Sequence, residues 1–311
     1  MPTDRRPVGV NELASVTVTF NPDLALLERQ LLALRDVGRI IVVDNASTPA
    51  ARDAVRELVG RVERVELIEN DDNIGLAAAL NVGIGRARSM ETPCRAVLLL
   101  DQDSAFPVEA PAGLVDALNQ VQAMTGTLCC VGPVLLDPGT GLAHGFHYIE
   151  HAWRWSRAYP GPDAAPFPLA NLNGSGTTMM LELVDRIGDL DGAMFIDHVD
   201  TEWSFRVTSH AYRLFGIPWL SFDHRMGERG RRIWLFGWRV WPERSPLRHF
   251  YLYRNTVWLL RRGYVPVVWK AWAIVKMMLT ALVVMASDSR RSEQLAMIWK
   301  GLKTGMSREA K

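Results

Sequence analysis

The chain reads as an α/β protein with a mostly parallel central sheet flanked by helices, followed by a helical C-terminal extension. Three observations predict this. Short β-rich runs alternate with helix-patterned stretches from residue 14 to about residue 88, the mark of βαβ units. The runs Ile40-Ile41-Val42-Val43 and Ala96-Val97-Leu98-Leu99-Leu100 are continuously apolar, as strands covered on both faces are. The final third turns basic and tryptophan-rich.

Residues 15–20, Ser-Val-Thr-Val-Thr-Phe, give the first strand by their β-branched content. Asn21-Pro22-Asp23 is a turn and helix start, and Leu24, Leu27, Leu31, Leu32 and Leu34 mark the helix's apolar face until Gly38 closes it. The second strand, 40–43, ends in Asp44-Asn45-Ala46-Ser47. A helix over 51–59 leads to a third strand, 65–68, which ends near Asn70-Asp71-Asp72-Asn73. A small-residue helix over 74–88 and a fourth strand over 96–100 follow. A helix is expected over 113–124 and a strand over 130–135; the rest of 108–168 reads as loops rich in Gly, Pro and aromatic residues, with no chemistry assigned to it. Asn173-Gly174-Ser175-Gly176-Thr177-Thr178 introduces a strand over 179–183 and a short helix to 187. Residues 192–206 then pack ionisable groups of both signs among large apolar side chains.

With 311 residues, 48% hydrophobic and 22% charged, the chain can bury a large core. Cys94 and the adjacent Cys129-Cys130 offer neither metal-ligand spacing nor a disulfide framework, and the N-terminus lacks an apolar signal segment, so a reducing cytoplasmic location is expected. The net charge of +1 conceals a split. From His224 onward there are 18 Lys+Arg against 5 Asp+Glu, which makes this tail +13 and the preceding body −12. Such a tail suits an anionic partner. Trp234, Trp238, Trp241, Trp258, Trp269, Trp272 and Trp299 lie within it and favour a membrane interface; nucleic acid is second, with no recognisable reading motif.

The most informative short motif is Asp101-Gln102-Asp103, directly after the apolar fourth strand. Alternation along a strand sends both carboxylates to one face, where Mg²⁺ or Mn²⁺ could bridge them to substrate phosphates. Taken alone the motif is outweighed by the reading of a solvated acidic turn. Its context adds polar residues at the ends of two further strands, Thr19 and Asn21 after the first and Asp44 after the second. In open α/β sheets ligands bind beyond the carboxyl ends of the strands, so these residues should meet in one crevice. No G-x-G-x-x-G follows the first strand, and Asn173-Gly174-Ser175-Gly176-Thr177 lacks the first glycine of a nucleophile elbow, which argues against dinucleotide oxidoreductases and serine hydrolases.

With Val18-Thr19-Phe20-Asn21-Pro22, Val43-Asp44-Asn45-Ala46-Ser47, Asn73-Ile74-Gly75-Leu76 with Asn81-Val82-Gly83, Asp101-Gln102-Asp103, the 197–206 block and Arg248-His249-Phe250-Tyr251 running into Arg254-Asn255, the chain resembles the inverting glycosyltransferases of family 2. Within that family it resembles bacterial rhamnosyltransferases that use dTDP-L-rhamnose, mainly through Val199-Asp200-Thr201-Glu202-Trp203 and the Tyr-x-x-Arg-Asn ending. The resemblance runs from about residue 15 to 255. It implies the GT-A fold, which is Rossmann-like, over 1–223, with a nucleotide-binding half at about 14–103 and an acceptor half at about 104–223. Residues 224–311 form the extension.

Carried onto matching positions, the resemblance implies that Thr19 and Asn21 line the nucleoside pocket and that Asp44 accepts from a pyrimidine N–H, the competing reading being a helix cap or Asx-turn. Asn73 and Gly75 match the approach to the nucleotide sugar, with helix capping as the alternative for Asn73. Asp103 is the stronger metal ligand, Asp101 holds ribose or water or shares the ion, and His224 completes the metal site or touches the diphosphate. Arg229, Arg231 and Arg232 either neutralise the leaving diphosphate or form a solvated, lipid-facing cluster. Asp200 falls at the position of the general base, with Glu202 and Asp197 as alternatives, one of the three pairing with Arg206 instead. Trp203 stacks on the acceptor or belongs to the core, and Arg254 lies on the acceptor side.

The implied activity is metal-dependent transfer of L-rhamnose from dTDP-L-rhamnose to a lipid-linked or polysaccharide acceptor. Another donor such as UDP-galactofuranose or UDP-glucose, a sugar-phosphate nucleotidyltransferase and an inactive nucleotide-binding scaffold are the alternatives. The apolar stretch 264–287 is interrupted by Lys270 and Lys276, below the ~20 uncharged residues of a clean span. An interfacial helix on the inner leaflet is expected, with a spanning helix and a core helix as the other readings.

Overall fold

In the computed structural model the described residues are 6–89, 94–139, 141–224, 230–234 and 238–307, with backbone alone for 230–242. Strand β1 (Leu13–Thr19), helix α1 (Leu24–Ala33), β2 (Arg39–Asp44), α2 (Pro49–Val59), β3 (Val65–Glu69), α3 (Leu76–Arg88) and β4 (Ala96–Asp101) follow the alternation predicted. The Asp23 carboxylate accepts from the backbone N–H of Ala25 and Leu26, which caps α1 as the turn residues promised. Helix α4 (Ala110–Thr125) and strand β5 (Cys129–Leu136) come next.

Residues 137–168, expected to be loops, instead contain β6 (Ala143–His144), a hairpin of β7 (Phe146–Glu150) and β8 (Arg154–Ala158), and β9 (Phe167–Leu169). The hairpin packs through its aromatic residues, so its pattern lacked the apolar alternation that reveals a strand. Strand β10 (Thr178–Met180) gives way at once to α5 (Leu181–Ile187), earlier than expected. Helix α6 (Val199–Ser209), β11 (Arg213–Asp223), the pair β12 (Gly230–Trp234) and β13 (Trp238–Pro242), and helices α7 (Pro246–Arg261), α8 (Val267–Ser287) and α9 (Arg291–Ser307) complete the chain.

One nine-stranded sheet runs β3-β2-β1-β4-β10-β5-β11-β9, with β6 beside β5. The β1–β2, β1–β4, β2–β3 and β5–β11 pairs are parallel; β10 enters antiparallel between β4 and β5. The two halves expected from the sequence therefore share a single sheet. Alternation divides its side chains between two cores. Val16, Ile41, Val43, Val97 and Leu99 meet α3, α5, α6 and the inner side of α8, while Ile40, Val42, Leu98 and Leu100 meet α1, α2 and α4. Asp101 continues the row of Val97 and Leu99, which aims it toward the α3 and α6 side.

Candidate active site

At the carboxyl edge of β4 the chain turns through Asp101, Gln102 and Asp103, and β11 brings His224 alongside. One potential ligand atom from each of Asp101, Asp103 and His224 lies within 4.8 Å of the others. His224 Nε2 is 3.9 Å from Asp101 Oδ2, and Nδ1 is 3.5 Å from Asp103 Oδ1. The two carboxylates are each about one-third exposed, reachable by solvent and by a ligand. Burial raises the pKa of Asp101, the His224 imidazole opposes that shift, and the charge of Asp103 adds to it. Two hard carboxylates and one borderline imidazole on converging positions fit a divalent cation.

The turn is held from beneath by a residue that motif reading missed. Gln30 on α1 is fully buried; its amide donates to Asp101 O at 2.8 Å and Ser104 O at 2.9 Å and accepts from Thr17 Oγ1 at 2.8 Å. A glutamine inside a leucine-rich helix face was the available signal, since a buried amide needs partners. Gln102 faces the other way and exchanges two hydrogen bonds with the Phe20 backbone.

Asp200 stands in the first turn of α6. Burial raises its pKa to about 6, hydrogen bonds from the Thr201 and Gly174 backbone oppose the shift, and the negative charge of Asp101 reinforces it. The effect of Asp101 on Asp200 puts the acidic turn within electrostatic reach of it. Beside them lies a cleft lined by Pro133, His147, Asn171, Asn173 and Ser175. Pro133 and His147 come from the stretch 108–168, to which the sequence had assigned no chemistry.

The loop before Asp200 is strained. Phe195 (φ 62°, ψ −69°) is the centre of a γ-turn closed by the Ile196 N–H on Met194 O at 2.7 Å, and Asp197 and His198 have φ of 62° and 65°. Helix α7 holds it. The Asn255 amide, fully buried, donates to Met194 O, Ile196 O and Asp197 O, each at 2.8 Å, and Arg254 donates to Ala193 O at 2.7 Å and Met194 O at 3.0 Å. Phe195 stacks on Tyr251 with ring centroids 4.5 Å apart. Replacing Asn255 by Ala leaves the Ile196 and Asp197 carbonyls short of a donor, and we expect a loss of about 3 kcal/mol in a denaturant titration; Asn255→Asp, which turns a carboxylate on the same carbonyls, should cost more.

Several sequence expectations are corrected by this arrangement. Glu202 is buried between Arg206 (2.8 Å), Arg262 (3.2 Å) and the Tyr264 hydroxyl, so it is the acidic residue that pairs with Arg206. Asp197 is held by Arg248 through contacts of 2.6 and 3.2 Å. Trp203 is 3% exposed and lies in the core, closed to an acceptor. Arg254 is likewise buried, its guanidinium 4.2 Å above the Trp258 ring. Arg229 lies outside the described residues, and for Arg231 and Arg232 only their place on β12 is described.

The nucleoside-pocket candidates do assemble, around one another. Asp44 is fully buried and accepts from Thr19 Oγ1 (3.1 Å), Ser47 N (3.0 Å) and Ser47 Oγ (2.5 Å), the Asx-turn alternative. Asn21, exposed with φ 47°, accepts from Thr48 N at 2.9 Å. Asn73 accepts from Asn45 Nδ2 and Gly75 N, each at 3.0 Å, pinning the entry to α3. At Gly75 (φ 85°) a Cβ would lie 2.7 Å from Phe195 Cα, so the close approach requiring glycine is made by the strained loop.

Residues 16–130 match the family model described as Glycosyl transferase family 2. A dTDP-rhamnosyl transferase, RfbF of Shigella flexneri, is 27% identical over 286 residues, covering 92% of each chain. The protein is a glycosyltransferase whose residues 16–130 match family 2. The match to the family model ends just inside β5, whereas the likeness to the Shigella relative continues through α6 and into the C-terminal helices. Among solved structures the glycosyltransferase resembles the mannosyltransferase PcManGT of Pyrobaculum calidifontis in complex with GDP-Man and Mn²⁺, at a TM-score of 0.55 and 17% identity over 99% of this chain and 88% of that one. It also resembles GalNAc-T7 with UDP, GalNAc and Mn²⁺, at a TM-score of 0.55 and 15% identity; the match covers 96% of this chain and 55% of GalNAc-T7, about half its length. These likenesses establish the GT-A type of sheet and flanking helices.

Proposed function

We propose that the protein is a metal-dependent inverting rhamnosyltransferase that moves L-rhamnose from dTDP-L-rhamnose to a lipid-linked glycan acceptor during cell-surface polysaccharide assembly. The observation carrying this reading is the convergence of Asp101, Asp103 and His224 at the edge of β4, with Asp200 close enough to feel the charge of Asp101. The donor sugar rests on the likeness to the Shigella dTDP-rhamnosyl transferase. Mg²⁺ or Mn²⁺ held by Asp101, Asp103 and His224 would supply positive charge against the departing diphosphate. Asp200 takes the proton from the acceptor hydroxyl as that oxygen attacks the anomeric carbon from the face opposite the nucleotide, which inverts the configuration without a covalent enzyme intermediate. The raised pKa suits Asp200 to this role, because a more basic carboxylate accepts a proton more readily.

The test is nucleoside diphosphate release from a panel of nucleotide sugars with Mn²⁺ or with chelator. Release from dTDP-rhamnose that needs the metal is the expected result; release from UDP-galactofuranose or UDP-glucose alone would reassign the donor, and release of pyrophosphate would indicate nucleotidyl transfer. An imidazole ligand suits Mn²⁺ better than Mg²⁺, so Mn²⁺ should support the faster reaction and His224→Ala should narrow the difference.

Membrane contact is assigned to α8. Among the described residues it is the one helix long and apolar enough to cross a membrane, and 22% of its apolar window is buried. Val267, Ile274, Met278, Leu282 and Met285 form an exposed outward stripe, while Trp269, Ala273, Thr280 and Val284 face inward. This amphipathic placement supports peripheral binding at the inner leaflet. Truncation before α8 would strip Trp269 and Ala273 from the core, so the discriminating change is on the outward stripe. Ile274→Gln with Met278→Gln and Leu282→Gln should shift the protein from the membrane to the soluble fraction with nucleotide binding retained; unchanged fractionation would refute the membrane assignment.

A further inference from the structure

Helix α8 carries a second feature on its inward side. Lys276 lies on the face opposite the exposed apolar stripe, with its Nζ 4.6 Å above the Trp272 ring. Trp272 in turn meets Trp155 of β8, ring centroids 6.1 Å apart. Trp155 and Arg157 are two residues apart on β8 and share a face, so Arg157 is directed toward the same space as Lys276. Opposite them, the start of α7 contributes Arg248, on its first turn, and Arg244, just before it. Arg244 and Arg157 are the strongest charged neighbours of Lys276, and Asp197 is the one carboxylate among those acting on it. Asp197 is already engaged by Arg248.

Of the charged groups named, four cations thus gather around one carboxylate that Arg248 already engages. Among the described residues, Arg157, Arg244 and Lys276 make no ion pair within 4 Å. Two imidazoles at the border of this space, His147 and His198, are kept neutral, their pKa values lowered to about 3 and about 4 by burial and then by these cations, in the case of His198 against the pull of Asp197. Arg157 and Lys276 are solvent-exposed, so an anion can reach these cations, and its charge would relieve their mutual repulsion. The space also adjoins the candidate active site: His147 lines the cleft beside Ser175, and Arg248 acts electrostatically on Asp101.

We propose that the space between the β7–β8 hairpin, the start of α7 and the inward face of α8 is an anion subsite that holds the diphosphate of the acceptor, with Arg157, Arg244, Arg248 and Lys276 as its cations. This rests on the proposed transfer to a lipid-linked acceptor and assigns the part of the chain that recognises it. The location fits a substrate whose lipid chain enters the bilayer beside the outward stripe of α8 while its sugar reaches Asp200. Guanidinium and ammonium groups are the side chains that bind phosphate oxygens through charge-assisted hydrogen bonds.

The test uses the full-length protein in chelator, so that the acidic cluster cannot recruit a diphosphate through a metal. Flotation is measured with phosphatidylcholine vesicles, with the same vesicles containing undecaprenyl diphosphate, and with vesicles brought to equal surface charge by phosphatidylglycerol. Undecaprenyl diphosphate should raise affinity well beyond phosphatidylglycerol, and inorganic pyrophosphate should compete. Arg157→Gln with Lys276→Gln should weaken that increment roughly tenfold while dTDP binding in Mn²⁺ is retained, and Arg157→Lys with Lys276→Arg should preserve it. Equal affinity for the two anionic vesicles, failure of pyrophosphate to compete, loss of dTDP binding in the Gln pair, or loss of binding in the charge-preserving pair would each overturn the subsite. Nucleotide release from dTDP-rhamnose in Mn²⁺ without acceptor tests the proposed donor chemistry separately.

Discussion

Asp200→Asn should lower kcat by roughly 10²–10⁴-fold, the range for loss of a general base, with donor KM changed little. The substitution keeps the shape of the side chain and removes its capacity to accept a proton. The folded protein should be retained, because Asp200 makes its hydrogen bonds to Thr201 and Gly174, and the α6 helix is anchored separately by the Glu202–Arg206–Arg262 ion pairs. The pH profile gives an independent check. A base works deprotonated, so activity is present above its pKa and is lost as pH falls through it. Burial and the neighbouring charge of Asp101 set that value at about 6. A cation bound at Asp101 replaces the neighbouring negative charge with a positive one, which moves the acid limb below that figure. The limb of kcat should therefore lie at or below about pH 6 and be missing from the residual rate of Asp200→Asn. A variant with wild-type kcat would remove Asp200 from the reaction.

Asp103→Asn should produce a loss of comparable size through a different step. Removing one hard ligand from a three-residue set weakens the ion and the neutralisation it provides, for which several kcal/mol is the usual scale; about 4 kcal/mol corresponds to roughly a 10³-fold drop in turnover. Raising Mn²⁺ should recover part of this loss, because the defect is one of affinity, whereas Asp200→Asn should not respond to metal. Chelation of the wild type should reproduce the Asp103→Asn rate. Isothermal titration with Mn²⁺ separates the two variants before any turnover is measured. If Asp103→Asn binds Mn²⁺ as the wild type does, the acidic turn is not the metal site.

The two variants also bear on how much of the site could be read from the chain. Asp101, Asp103 and His224 were all legible, and so was Asp200, because each sits in a short motif at a strand or helix end. The resemblance put the base at Asp200 and kept Asp197 and Glu202, within six positions of one another, as alternatives. What sets the three apart in the fold is partners remote in sequence. Arg248 takes Asp197 from 51 positions away, and Tyr264 takes Glu202 from 62. The same holds for Arg254-Asn255, where the motif was visible but its use as a brace for the strained loop was not, since the carbonyls it binds lie about 60 residues earlier.

Alternation and apolar periodicity by themselves determined the βαβ succession, the buried strands β2 and β4 and the aspartates at the edge of β4, because these depend on spacing along the chain. The split of charge between body and tail is likewise a property of composition. Tertiary structure alone decided that 143–169 forms strands, that Trp203 belongs to the core, that Gly75 yields space to Phe195, and that Lys276 lies over Trp272 on the side of α8 away from its exposed apolar stripe. The physical reason is common to all four: burial and charge pairing depend on which distant segments come into contact, and contacts between segments far apart in the chain leave no periodic trace in either one.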